Sequence, residues 1–177
     1  MPHSATLPTW CGSALFQSLH RFVYMNDKFH SLISELHNKC EALMAMPPVT
    51  VDTAPMHTPQ GGIYLFSAGD EHLYVGRTKR NIRDRLKDHV STADDCPFAW
   101  HLARESTSQQ KASYRRECSR SHLLSLPAFK RAYEDAKRRI RSMHVRYVGE
   151  PEPLRQALLE IDVAVATNAK HNDFDTH

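Results

Sequence analysis

Apolar and polar positions alternate along this chain in two rhythms, one helical and one strand-like. From Ser13 to Met46, Leu15, Leu19, Phe22, Phe29, Ile33, Leu36, Cys40 and Leu43 recur in steps of three and four once Asn26 is counted, which predicts helix. The step also suits a coiled-coil seam with a polar Asn26, and so a homodimer through this N-terminal helix. Met25-Asn26-Asp27 equally reads as a stop and a new cap. Two helices broken there are therefore expected, the second packing on the rest of the fold. Pro47-Pro48 ends the helical stretch, and residues 47–60, with Pro55 and Pro59, read as an extended linker.

The rhythm then shortens. Ile63 to Phe66 and Leu73 to Val75 flank Ser67-Ala-Gly-Asp-Glu71, and apolar β-formers around a Gly-Asp turn predict a β-hairpin. Ile82, Leu86 and Val90, four apart, predict a short helix with Asn81 as N-cap. Phe98 to Arg104 reads as a short helix, Glu105 to Ser113 as a polar loop, and Ser119 to Leu126 as a brief helix. Pro127 suits the first position of a helix to about Ile140, with Phe129, Tyr133, Ala136 and Ile140 on one face. His144 to Gly149 alternates and ends in glycine, as a third strand would. After Glu150-Pro-Glu-Pro153 a last helix runs to about Thr167, with Leu154, Leu158, Ile161 and Val165 expected to face the core.

The 177 residues suit one domain of ordinary size, and 41% apolar with 24% charged residues is a globular composition. A net charge of +3 says little, but its distribution says more. Residues 1–50 are balanced, Arg77 to His89 carry +4, and residues 111–146 carry +8. Positive charge gathered in the middle of the chain fits a polyanionic partner. Cys11, Cys40, Cys96 and Cys118 are scattered, without a Cys-x-x-Cys pair or zinc-finger spacing, and read as reduced thiols of a cytoplasmic protein. No apolar run approaches a membrane span, so no membrane partner is expected.

Gly62-Ile63-Tyr64, followed by Tyr74-Val75-Gly76 ten positions on and then by Arg85 and His89, resembles the signature of the GIY-YIG nuclease superfamily. The late glutamate and asparagine of that pattern are matched by Glu160 in Leu158-Leu-Glu-Ile161 and by Asn172, twelve positions apart. The resemblance covers residues 61–92 and about 142–177. It implies an α+β fold, a small three-stranded antiparallel sheet flanked by helices. Residues 1–55 would be a helical extension and Pro-rich linker; residues 56–177 would be the nuclease-like domain, with a helical insertion at about 94–140. The implied activity is that of an endonuclease that hydrolyses phosphodiester bonds in DNA with a divalent metal. A non-catalytic nucleic-acid-binding module that keeps the fold is the alternative.

The resemblance also assigns roles. Glu160 would hold Mg²⁺ (or Mn²⁺), an ion that keeps several waters and needs few protein carboxylates. Arg85 would give the phosphate a bidentate fork. An unperturbed tyrosine, with a pKa of about 10, is a poor base near neutrality, so nearby cations would have to favour its ionised form. Tyr64 is assigned as the base with His89 receiving its proton, Tyr74 as positioning, and Asn172 as a fixer of local geometry. Arg77, Lys79, Arg80, Arg83, Arg138, Arg139 and Arg141 would contact nucleic acid. The interval from Tyr74 to Arg85 is one residue longer than the pattern, so Arg83 competes with Arg85 for the phosphate.

Overall fold

The computed structural model describes residues 13–108 and 119–172, with side chains from residue 27 onward. Leu15, Leu19, Phe22, Cys11, Cys118, Lys111, Arg115 and Arg116 lie outside these described side chains. Two compact units are distinguished, one ending at Glu35 and one running from Leu36 to His177. Helix α1, Ser13–Ala45, is continuous through Asn26-Asp27, against the expected break. Neither residue forbids a helix: each costs only up to about 0.7 kcal/mol relative to alanine, and no Gly or Pro accompanies them.

Within the second unit the sheet comprises β1 (Gln60–Ala68), β2 (Glu71–Asn81) and β3 (His144–Gly149), all antiparallel, in the order β2-β1-β3. The fold is α+β, a small open sheet flanked by helices. Gly69, at φ 59, supplies the left-handed turn residue that the hairpin needs. Leu65 pairs with Val75 and Phe66 with Tyr74, with an irregularity between Phe66 and Ser67. Strand β2 runs on to Asn81, so Arg77, Lys79 and Arg80 are strand residues rather than a prelude to the helix.

Strand alternation gives the sheet two buried faces. Tyr64, Phe66 and Tyr74 belong to one. They share a core with Ile82 and Leu86 of α2 (Ile82–Asp88), Phe98 of α3 (Pro97–Thr107), Leu123 of α4 (Arg120–Ser125) and Phe129, Tyr133 and Ile140 of α5 (Pro127–Ser142). Ile63, Leu65 and Val75 belong to the other, and α6 (Pro153–Thr167) packs there on β2 and β1. The buried stripe of α6 is Gln156, Leu159, Val163 and Ala164, whereas Leu154, Ile161 and Val165 are exposed. The expected face is therefore wrong. This helix is apolar almost all round, so its polar anchors choose the orientation. The Gln156 amide donates to the Glu150 carbonyl at 2.6 Å, and the Glu160 carboxylate meets Arg77.

Both sheet edges are covered, which blunts edge-to-edge pairing. Val49 exchanges two backbone hydrogen bonds with Val145 beside β3, at 2.9 and 2.7 Å. Val51 and Ala54 are buried, so the Pro-rich stretch packs into the core instead of acting as an extended linker. On the β2 side, the amides of Lys170 and His171 donate to the carbonyls of His72 and Leu73. At the far end of β3 the buried Glu150 carboxylate takes Lys39 of α1 at 2.7 Å and Arg155 of α6 at 3.0 Å. Burial pushes this carboxyl up, but the hydrogen bonds from Lys39 and Arg155 outweigh that and hold it below its ordinary range.

Candidate active site

The hairpin sets the first two groups of the site. Tyr64 lies opposite Gly76 across the β1–β2 ladder, and its ring crosses the glycine. A Cβ at position 76 would collide with the Tyr64 phenol oxygen and ring, so only glycine fits. Tyr74, two residues earlier, stacks on Phe98 with ring centroids 4.8 Å apart and planes 8° from parallel. Asn172 holds the strand from outside. Its Oδ1 accepts the Val75 amide at 2.7 Å, and its Nδ2 donates to the Val75 carbonyl at 2.8 Å. Both ends of the amide are thus spent on the residue between Tyr74 and Gly76.

Helix α2 supplies the next pair, and its N-cap sets their phase. Asn81 Oδ1 accepts from the Asp84 amide and from the Thr58 hydroxyl. That phase turns Arg83 away, its Nε donating to the Ala54 carbonyl at 3.1 Å, and turns Arg85 inward, its Nε donating to Tyr64 Oη at 3.2 Å. Arg85, rather than Arg83, is therefore the arginine beside the tyrosines. One turn on, His89 Nε2 lies 2.9 Å from the same phenol oxygen. Its Nδ1 faces Cys96 Sγ at 3.1 Å. The sequence marks Cys96 only as one of four scattered reduced thiols and not as a site residue, because nothing in cysteine spacing marks a thiol that meets a histidine seven residues away across a loop.

Glu160 reaches the same region from α6. Its carboxylate pairs with Arg77 Nε at 3.1 Å, and its charge acts on both phenols, as does that of Arg85. Tyr64, Arg85 and His89 are thus joined by direct hydrogen bonds, with Tyr74 and Glu160 in electrostatic range. The helices carrying Arg85 and Glu160 pack on opposite faces of the sheet, so Glu160 acts on the two phenols through its charge rather than from the face they share with Arg85. The basic residues are dispersed. Lys79 and Arg80 are exposed on β2, with Arg80 paired to Asp88, which also lies 4.0 Å from Arg85 Nη1. Arg138, Arg139 and Arg141 are exposed on α5; Arg138 is paired with Asp135, and the charge of Arg139 is felt by Glu105 and His171.

Burial governs the protonation states. Desolvation pushes the Tyr64 phenol up to about 12, although Arg85 pulls the other way. Burial pushes Tyr74 further above its usual range. Desolvation, then the Arg85 charge, lowers His89 to about 3. Near neutrality Tyr64 is therefore a phenol and His89 a neutral imidazole. A proton passing from the first to the second would move far uphill, so the resting site does not favour that relay. Glu160 is raised by burial and held back by Arg77. Among the described residues no three His, Cys, Asp or Glu side chains cluster as metal ligands. One largely buried carboxylate, paired with Arg77 and within electrostatic range of two phenols, suits an oxygen-loving ion that keeps most of its waters, as Mg²⁺ does.

No family model, no curated protein and no solved structure matches this chain. Among the described residues, no helix is long and apolar enough to cross a membrane.

Proposed function

We propose that this chain is a GIY-YIG-type endonuclease that hydrolyses phosphodiester bonds in DNA with Mg²⁺ or Mn²⁺. The observation that supports it best is the Tyr64 oxygen, bonded to both Arg85 and His89 and within electrostatic range of the largely buried, Arg77-paired carboxylate of Glu160. Arg85 carries the cation for the phosphoryl oxygens, and Tyr64, itself held by His89, keeps its guanidinium in place. Glu160 would hold the metal, which when bound supplies Lewis acidity and an activated water. Tyr74 and Asn172 keep β2 and its glycine in register. Arg77, Lys79, Arg80, Arg138, Arg139 and Arg141 offer phosphate contacts on exposed surface. The buried, unpaired thiols Cys40 and Cys96 support a reducing compartment, and we place the protein in the cytoplasm.

The Arg77–Glu160 ion pair favours a second reading, a nucleic-acid-binding module whose carboxylate serves only as a counter-ion. Glu160→Gln separates the two. The change keeps size and helix preference while removing the charge that would hold a metal. Cleavage of labelled duplex, branched and single-stranded DNA should fall by about a hundredfold or more, on the scale of losing a principal electrostatic group. Binding in EDTA should persist. Undiminished cutting by the variant would remove Glu160 from the mechanism. Tight binding by the wild type without cutting in Mg²⁺ or Mn²⁺ would establish the binding module.

A further inference from the structure

The Tyr64 oxygen sits in a line of four side chains that ends at a thiol: Arg85 Nε, Tyr64 Oη, His89 Nε2, then His89 Nδ1 and Cys96 Sγ. His89 and Cys96 are 1% and 2% exposed, so water does not arbitrate among them. A neutral imidazole has one N–H to share between the thiol and the phenol, and the partner of one nitrogen fixes the role of the other. Which nitrogen carries the hydrogen decides whether Tyr64 keeps its own proton for the site or spends it inward.

The position of the sulfur makes the choice. Cys96 is the N-cap of α3, and its Sγ accepts the Ala99 amide at 3.4 Å, with the Phe98 amide also directed at it. The acceptor capacity of the sulfur is therefore engaged by backbone donors at a helix N-terminus. Its own hydrogen remains, and burial keeps the thiol protonated. His89 Nδ1 is the side-chain acceptor facing it. Were Nδ1 to donate instead, the sulfur would receive a further N–H and the S–H would be left without an acceptor in a closed core.

We propose that Cys96 is a positioning residue that donates to His89 Nδ1, fixes the hydrogen on Nε2, and so leaves the Tyr64 hydroxyl free to donate into the active site. Tyr64 then receives two donors on its oxygen, from Arg85 and from His89. It acts on the substrate as a hydrogen-bond donor to a phosphoryl oxygen or to the attacking water, not as a base. The placement of the hydrogens stands on the geometry alone; the donor role of Tyr64 rests on the nuclease reading.

The test uses the full-length protein with ¹⁵N-labelled histidine. Long-range ¹H–¹⁵N correlation reads the tautomer of His89 directly, whether or not the protein cuts DNA. The expected result is the Nε2–H form in wild type and in Cys96→Ser, whose hydroxyl still caps α3 and still donates. Cys96→Ala removes the donor to Nδ1 and should move the Nδ1 ¹⁵N resonance downfield, towards that of an unbonded ring nitrogen. It should also slow cleavage by about 10- to 100-fold, the usual scale for groups that orient a site residue, with DNA affinity unchanged. Finding wild-type His89 as the Nδ1–H form overturns the proposal. So does a Cys96→Ala protein that folds and leaves the Nδ1 ¹⁵N resonance where it is in wild type. Absence of any cleavage by wild type would defeat the nuclease reading and leave the tautomer result standing.

Discussion

Acid should destabilise this protein through His89, by an amount that follows from its burial. The ring is 1% exposed, and its pKa is lowered to about 3 by desolvation and by Arg85. In the unfolded chain the same ring titrates at about 6.5. The folded value lies below the unfolded one, so the stability contributed by keeping the ring neutral is complete above about pH 6.5. It is lost as the pH falls from there towards about 3. Each unit of pH in that window costs about 1.4 kcal/mol, so at about pH 5 the loss is about 2 kcal/mol, and near pH 3 it approaches about 5 kcal/mol. Those are large fractions of the 5–15 kcal/mol typical of a domain. Other groups contribute to acid loss too, among them Glu150, so the assay must isolate one ring. Guanidinium unfolding at about pH 7 and about pH 5 is compared between wild type and His89→Gln, which lacks the titrating group. The variant should be less stable at neutral pH, since it loses the ring packing against Tyr64 and Phe66. Its further loss on acidification should be smaller than that of wild type by about 2 kcal/mol. Equal losses in the two proteins, at unchanged denaturant slopes, would refute the claim that His89 is held neutral.

Two other substitutions probe the frame around the site. Gly76→Ala puts a methyl group where the Tyr64 phenol lies; it should cost about 1–3 kcal/mol as overpacking, measured by chemical denaturation, and abolish the Tyr64–His89 hydrogen bond. A variant that cuts DNA like wild type would show that the bond is dispensable. Glu150→Gln leaves Lys39 and Arg155 without their shared carboxylate and should cost about 3–5 kcal/mol at neutral pH. Because the Glu150 carboxyl is held below its ordinary range, its contribution is present above the unfolded carboxylate pKa and disappears as pH falls through the folded one. The gap between wild type and Glu150→Gln should therefore narrow in acid, and a gap that is independent of pH would count against the assignment.

How much of this was legible in the chain depends on whether the deciding contact was local. The hairpin was, because Gly69-Asp70 and the runs around it set both strands, though not how far β2 continues past Gly76. The buried stripe of α5, Phe129, Tyr133, Ala136 and Ile140, was legible because the rest of that helix is densely charged. On α6 the same reasoning chose the wrong face. Leu154, Ile161 and Val165 form as good a stripe as Leu159, Val163 and Ala164, and the choice rests with Gln156 and Glu160, whose partners Glu150 and Arg77 are remote in sequence or lie on another element. Arg83 and Arg85 could not be separated by spacing. The Asn81 cap separates them, by fixing the helical phase that sends one to Ala54 and the other to Tyr64.

The site itself breaks the patterning rules that made the fold readable, as functional sites tend to do. A tyrosine, a histidine and a cysteine, all titratable, are buried in one line behind the Gly76–Arg77 segment. The burial that orients them also disarms them. Tyr64 is pushed up, His89 is pushed down, and neither carries charge near neutrality. The charges available for chemistry are therefore those at the rim, Arg85 and Glu160, the first more than three-quarters buried and tied to Tyr64, the second tied to Arg77. On the proposed nuclease reading, a polyanion arriving there would meet one cation that is already aligned and one that must leave its carboxylate to reach a phosphate. On the same reading, Arg77 is the residue on which binding and metal loading would meet, because any phosphate contact it made at the expense of Glu160 would free that carboxylate.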